Sequence, residues 1–319
     1  ECDWSSDVCS SDLRNIKPTN QEVLLEIAKL LKHENADIRY HAFEILALIK
    51  PTNQEVLLEI VNLLKHENAD IRYNAVQALE EIKPTEPKIH KDLAKALSDN
   101  KYEVRKSAAK ALAEIKPMDP EIHKALAQAL SDNNYDVRRS AAEALTEIKP
   151  TNQEVLLEIV KLLEHENEYI RRDGVKVLQN IKPTEPKIHK DLAKALCDNY
   201  YNVRKYAAKA LTEIKPTNQE VLLEIVKLLE HEKAYIRHDA VEVLGNIKPT
   251  KQEVLLEIVK LLEHEKVDIR YNAVEVLRWI KPTNQEVLLE IAKLLDNENL
   301  FTKEQAKKVL EVIKPRGQI

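Results

Sequence analysis

The dominant pattern along the chain is a set of apolar positions at helical spacing, interrupted at equal intervals by the tripeptide Ile-Lys-Pro. Its prolines stand at Pro18, Pro51, Pro84, Pro117, Pro150, Pro183, Pro216, Pro249, Pro282 and Pro315, so every interval is 33 residues. An unbroken period of this size predicts stacked supersecondary units, none able to bury its own apolar face alone. Counting each repeat from its proline gives nine units over 18–314. Each unit predicts two helices. In the first, apolar residues fall at repeat positions 6, 7, 10, 11 and 14, with Thr at position 2 and Glu at position 5 as a capping box; Thr19/Glu22, Thr151/Glu154 and Thr217/Glu220 are examples. A polar HEN or SDN turn follows. The second helix carries its stripe at positions 21, 25, 28, 29 and 32, which in the second repeat are Ile71, Ala75, Ala78, Leu79 and Ile82. Lys at position 33 suits a helix C-terminus, and the next proline stops the helix. Three repeats differ at the first helix: Pro87, Pro120 and Pro186 fall in its first turn, where proline is tolerated, and His90, His123 and His189 replace the Leu of position 7.

Composition agrees with this all-α reading. The 319 residues include 49 Lys+Arg and 54 Asp+Glu but only 3 Gly, far too few for a chain of hairpins. Gly174, Gly245 and Gly317 are too dispersed to form a dinucleotide fingerprint or a phosphate loop. The apolar runs are broken by Glu or Lys within a few residues, so no membrane span is expected. A net charge of −5 exerts no large pull on nucleic acid.

Residues 1–13 stand apart. Asp3 to Leu13 read DWSSDVCSSDL, the codon-by-codon translation of a common short-read sequencing adapter, and the segment is read as an artefact outside the fold. Cys2, Cys9 and Trp4 leave with it, so no disulfide or metal site is expected there. Cys197 then remains alone, which fits a reducing compartment and a cytoplasmic location. Without Glu1, Asp3, Asp7 and Asp12 the chain has 49 basic and 50 acidic residues. The array is expected to cover 14–314, with 315–319 as a tail and with upstream repeats or domains lost at the adapter. The ninth repeat loses Asp-x-Arg and gains Lys303, Lys307 and Lys308, which reads as a polar C-terminal cap.

The second helices carry NADIRYNAVQAL, NYDVRRSAAEAL and VDIRYNAVEVL. This D-x-R-x-x-A-x-x-x-L pattern resembles HEAT-like repeats, the short bacterial kind also seen in phycobilin-lyase-like proteins. The resemblance covers Asn15 to Lys314 and implies an α-α superhelix, a HEAT-like α-solenoid. Arg39, Arg72, Arg105, Arg138, Arg171, Arg204, Arg237 and Arg270 match the family's arginine; Asp37, Asp70, Asp136 and Asp268 match its aspartate, with Glu103 a near match. Tyr169, Asn202 and Tyr235 depart from it and interrupt any continuous ladder. These arginines are read as structural, each pairing with an acid of a neighbouring repeat. The resemblance also implies that the second helices line a concave surface that binds protein.

Differences between near-copies point to the same face. The seventh and eighth repeats differ at positions 3, 19, 20, 23, 24, 30 and 31, the third and sixth at 15, 18, 20, 24 and 30. Most of these positions are expected to face outward on the second helix, whereas outward positions 5, 9 and 12 of the first helix do not change. All ten tyrosines lie between positions 18 and 24. The expected ligand-binding face therefore comprises Tyr40, Tyr73, Tyr102, Lys106, Tyr135, Arg139, Tyr169, Arg172, Tyr201, Lys205, Tyr206, Tyr235, His238 and Tyr271. Tyr and Arg are the residues that anchor protein interfaces.

His33–Glu34, His66–Glu67, His165–Glu166, His231–Glu232 and His264–Glu265 invite comparison with HEAT-like dimetal hydroxylases. Here, however, the pairs sit in the inter-helix turn, a repeat spacing apart (~10 Å), too far to share an ion held by ~2 Å bonds. The positions after the arginine, where that family carries its pairs, hold Tyr40–His41, Tyr73–Asn74, Arg172–Asp173 and His238–Asp239. A basic patch of Lys106, Arg139, Arg172 and Lys205 is broken by Asp136, Glu143 and Asp173, which counts against single-strand binding. The expectation is a non-enzymatic, monomeric scaffold for a protein or peptide, without cofactor or metal. The alternatives are the sensor array of a larger signalling NTPase, a nucleic-acid-binding solenoid, or a phycobilin lyase or dimetal hydroxylase.

Overall fold

The computed structural model describes residues 20–313. The adapter-like segment, Pro18, Thr19 and the 315–319 tail lie outside them. The described residues form eighteen α-helices, a short one and a longer one in each repeat. The first helices are α1 (Gln21–Lys29), α3 (Gln54–Leu63), α5 (Pro87–Lys95), α7 (Pro120–Ala129), α9 (Gln153–Lys161), α11 (Pro186–Ala195), α13 (Gln219–Lys227), α15 (Gln252–Lys260) and α17 (Gln285–Lys293). The second helices are α2 (Ala36–Ile49), α4 (Ala69–Ile82), α6 (Tyr102–Ile115), α8 (Tyr135–Ile148), α10 (Glu168–Ile181), α12 (Tyr201–Ile214), α14 (Ala234–Ile247), α16 (Val267–Ile280) and α18 (Leu300–Ile313). The chain divides into two compact units between Ile159 and Val160, inside α9. Within each unit the second helices of successive repeats pack on one another.

The expected core register holds. Ile71, Ala75, Ala78, Leu79 and Ile82 are all buried, as are Val56, Leu57, Ile60 and Val61 of the facing first helix. In the second repeat Leu63 rather than Leu64 completes the stripe. Small side chains let second helices approach: Ser107, Ala108 and Ala111 of α6 and Ser140, Ala141 and Ala144 of α8 are buried.

The helix ends differ from expectation at two places. The first-helix cap is the Asn of position 3, not the Thr of position 2. Asn53, Asn152, Asn218 and Asn284 each accept the N–H two residues on, at 2.9 Å. Asn caps at least as well as Thr, and one residue later its oxygen reaches the first turn, so Thr151 and Thr217 stay outside the helix. Pro87, Pro120 and Pro186 do stand at the first helical position. At the far end, the Lys of position 33 is not the last helical residue. Lys50, Lys83, Lys116, Lys149, Lys182, Lys215, Lys248 and Lys281 take left-handed φ values of 51–56°. Each closes its helix with a backbone bond to the carbonyl four residues back, as Lys50 does to Leu46 at 2.8 Å.

Candidate functional site

Position 16, in the turn between the helices, sets the geometry of each repeat. The Nδ1 of His33, His66, His165, His231 and His264 accepts the N–H two residues on, at 3.0–3.1 Å. Asp99, Asp132 and Asp198 do the same through Oδ1 at 2.7–2.8 Å. The histidines of the His-Glu pairs are thus turn-closing groups whose Nδ1 is already engaged. His90, His123 and His189 are likewise structural: each Nε2 lies 2.7–2.8 Å from the carbonyl of the proline that opens its repeat.

The arginine of position 22 folds back on that turn. In all eight repeats that carry it, one terminal nitrogen donates to the carbonyl of position 16 at 2.6–2.9 Å. The inter-repeat acid is not the family's aspartate. Arg72, Arg105 and Arg171 make bidentate pairs with Asp99, Asp132 and Asp198, each the position-16 residue of the following repeat, with Nε–Oδ2 at 2.6 Å. Arg204 instead reaches Asp239 at 2.9 Å. Of the four aspartates expected to form the ladder, Asp268 alone meets an arginine of the preceding repeat, Arg237, at 3.3 Å. Asp136 pairs with Lys106 at 3.2 Å. Asp37 and Asp70 sit in the first turns of α2 and α4, where Asn35 and Asn68 cap their N–H groups. The reason is reach: position 16 lies at the seam beside the preceding guanidinium, whereas position 20 has turned out toward solvent. Asp99, Asp132, Asp198 and Asp239 were missed by sequence reasoning. The alternation of Asp and His at position 16 was the available signal. Burial pushes the Asp99 and Asp132 carboxyls up, but the bonds from Arg72 and Arg105 and from backbone N–H groups outweigh it and hold both below the usual range.

The tyrosines fall into two groups. Tyr40, Tyr102, Tyr135, Tyr169, Tyr201, Tyr235 and Tyr271 are exposed, between 40% and 59%. Tyr73 and Tyr206 are half-buried, the Tyr73 hydroxyl accepting from Gln77 Nε2 at 2.9 Å. Guanidinium groups lie over several rings: Arg138 over Tyr135 at 5.8 Å, Arg172 over Tyr169 at 5.4 Å and Arg204 over Tyr235 at 4.2 Å. Among the flanking cations, Lys106 is held by Asp136, Arg139 by Glu143 at 3.0 Å and Arg172 by Asp173 at 2.6 Å. Lys205 and His238 are exposed. The acids that break the basic patch in sequence therefore neutralise most of it in space.

Two expectations about variation need correction. Position 24 is not outward: Ser107 is buried and Tyr206 half-buried. Position 30 is mixed: Gly245 is buried and an added Cβ would run into the ring of Trp279 in the next repeat, whereas Arg278 is exposed. Part of the difference between near-copies is seam packing. Exposed side chains at the differing positions include Lys101 at 18, Val267 at 19, Glu103 and Tyr235 at 20, His238 and Tyr271 at 23 and Trp279 at 31, and also Lys251 at 3 and Ser98 at 15, off the second helix. The ninth repeat is not uniformly polar either, since Leu300 and Phe301 are exposed at 75% and 62%.

In the first unit the second-helix face opens into a groove of about 560 Å³ between α4 and α6. Tyr73, Gln77 and Glu80 line one wall, and Tyr102, Lys106 and Lys110 the other. Burial pushes the Glu80 carboxyl up, only partly offset by Lys110. Among the described residues no helix is long and apolar enough to cross a membrane.

Comparison with known proteins fits this architecture. An engineered protein of known structure is 22% identical over 97% of this chain and 95% of its own, with a TM-score of 0.46. The karyopherin Kap121p, solved bound to the extreme C-terminus of the protein phosphatase Cdc14p, aligns over 93% of this chain with a TM-score of 0.56 and 16% identity. This chain spans 38% of that karyopherin's length, and the likeness is one of fold. No curated protein matches the chain. The family model for HEAT repeats matches residues 22–113, 59–145, 123–199, 190–259 and 222–311, and with two-helix repeats in register across that range the chain belongs to the HEAT repeat family.

Proposed function

We propose that this chain is a non-enzymatic, monomeric scaffold that binds a protein or peptide on the second-helix faces of its units, without a cofactor. The observation that carries the reading is the set of seven tyrosines, all on second helices of the two units, that stay at least 40% exposed, several with a guanidinium over the ring. Large aromatic rings left in water carry a cost that a partner relieves, and Tyr and Arg dominate interface energetics. The neutralised cations favour protein over nucleic acid as that partner, because a polyanion needs free positive charge. Kap121p holds a protein C-terminus, which is consistent with the same use of a related fold.

The test is capture from a lysate by the full chain and by the double variant Tyr102→Ala/Tyr135→Ala. Both rings are exposed, so the melting temperature should barely change while capture of the protein partner is lost. Capture that survives the double change, or capture of nucleic acid that disappears as salt is added, overturns the proposal.

A further inference from the structure

The groove between α4 and α6 contains a carboxylate without a hydrogen-bonding partner, Glu80. Glu80 makes no hydrogen bond or salt bridge although it is half-buried; Lys110 and Lys83 lie close enough to favour its charged form, and Glu81 and Glu114 to oppose it. Burying an unpaired carboxylate costs stability, so a protein with no use for it would do better with the small or neutral residue found at this position in other repeats, such as Ala47, Ala113 or Thr146. Two phenol rings, Tyr73 and Tyr102, line the same groove. The rim adds Asp70 and Glu103, while one of its lysines, Lys106, is already held by Asp136. That leaves three carboxylates facing Lys101 and Lys110, a net negative cleft with aromatic walls.

Resting on the scaffold reading, we infer that this groove is a seat for an arginine or lysine side chain from an extended segment of a partner protein, with the cationic head on Glu80 and the stem along Tyr73 and Tyr102. A cation over a tyrosine face gains from the ring quadrupole, and a planar guanidinium both stacks on a ring and forks onto a carboxylate, so arginine is the better occupant. The volume suits a side chain plus adjoining backbone. Gln77 and the two hydroxyls supply donors and acceptors for that backbone. Lys110 is the internal competitor, lying close enough to pull Glu80 back toward ionisation.

The probe is a capped, fluorescein-labelled peptide Gly-Arg-Gly-Arg-Gly, titrated into the full chain beside its citrulline and glutamate analogues. The arginine peptide should bind at least tenfold tighter than the citrulline one. Glu80→Gln should erase that preference, and Lys110→Met should strengthen it. Because burial holds the Glu80 proton more tightly than an ordinary glutamate does, binding should fall with acid at a higher pH than it would on an exposed carboxylate. Glu80→Gln should also raise the melting temperature at neutral pH, so lost binding cannot be unfolding. Equal affinity for arginine and citrulline, an undiminished preference in Glu80→Gln, or no binding at millimolar peptide overturns the seat. If Tyr102→Ala/Tyr135→Ala still abolishes lysate capture in that event, the scaffold reading stands alone; if capture is also unaffected, both fall.

Discussion

Replacing Asp99 by alanine tests how the repeats are locked together. The Asp99 carboxylate accepts Arg72 Nε at 2.6 Å and Nη2 at 2.8 Å, and the N–H of Lys101 at 2.8 Å. Both side chains of the ion pair are only 10% exposed. Removing one partner of such a pair strands the other charge, typically costing 3–5 kcal/mol. Arg72 would keep its bonds to the carbonyls of His66 and Glu67 and to Asn100, so the lower end, about 3 kcal/mol, is expected. Asp268 is the control. It pairs with Arg237, but its side chain is 78% exposed, and Asp268→Ala should cost at most about 1 kcal/mol. Asp99→His should recover part of the loss, because the histidine repeats close the same turn through Nδ1. Urea midpoints give the size of each effect. Since repeat arrays need not unfold in one step, hydrogen exchange in α4 and α6 gives its location. If Asp99→Ala costs no more than Asp268→Ala, the seam is held by apolar packing alone and the bidentate pair contributes nothing.

Three further outcomes concern a seam, a helix end and the seam carboxylates. Gly245→Ala should destabilise although Ala is the better helix former by about 1 kcal/mol, because the new methyl meets the Trp279 ring; paired with Trp279→Ala the same change should stabilise, and additive effects in a double-mutant cycle would disprove the contact. Lys50→Gly should be neutral or stabilising by up to about 1 kcal/mol, since the left-handed backbone there strains any side chain, whereas Lys50→Val should cost about 1–2 kcal/mol, both read from thermal melts. Asp99 and Asp132 have depressed folded-state pKa values, so the stability they contribute is present above the unfolded carboxylate range near ~4 and is lost as pH falls through their lower folded values; the Asp99→Asn/Asp132→Asn double variant should show a weaker loss of stability on acidification.

Sequence carried most of the fold because each repeat states it again. The proline ruler, the helical stripes and the first-turn prolines are local features, legible without partners. What escaped was decided by competition between neighbours or across seams. Thr and Asn both cap helices, and only their distance from the first turn shows that Asn53 or Asn218 does so. The partner of Arg72 lies 27 residues away in the next repeat, and choosing Asp99 over Asp70 needs the packing of two helices. Gly245 looks like a defect in α14 until Trp279 is seen against it. The exposed tyrosines were legible because positions 19, 20 and 23 lie off the apolar stripe. Glu80 is not legible in the sequence, because its meaning is the lack of a hydrogen-bonding partner, which only packing shows.

The arginine of position 22 separates what every repeat requires from what each seam can vary. Its bond to the carbonyl of position 16 is present in all eight repeats that carry it, and it satisfies a backbone group left without an intrahelical partner at the end of the first helix. Its second partner changes: an acid at position 16 for Arg72, Arg105 and Arg171, at position 24 for Arg204, at position 20 for Arg237. For Arg39 and Arg270, Nε has no acceptor at all. The constant bond lies inside the repeat, so the arginine's shared task is to close its own turn, and coupling between repeats is added seam by seam. Removing the arginine should therefore hurt every repeat by a similar amount through the turn, with an extra cost only where a buried acid loses its partner. Arg72→Met should exceed Arg39→Met by the worth of the Asp99 pair. Equal costs would mean that the turn bond is the arginine's whole contribution.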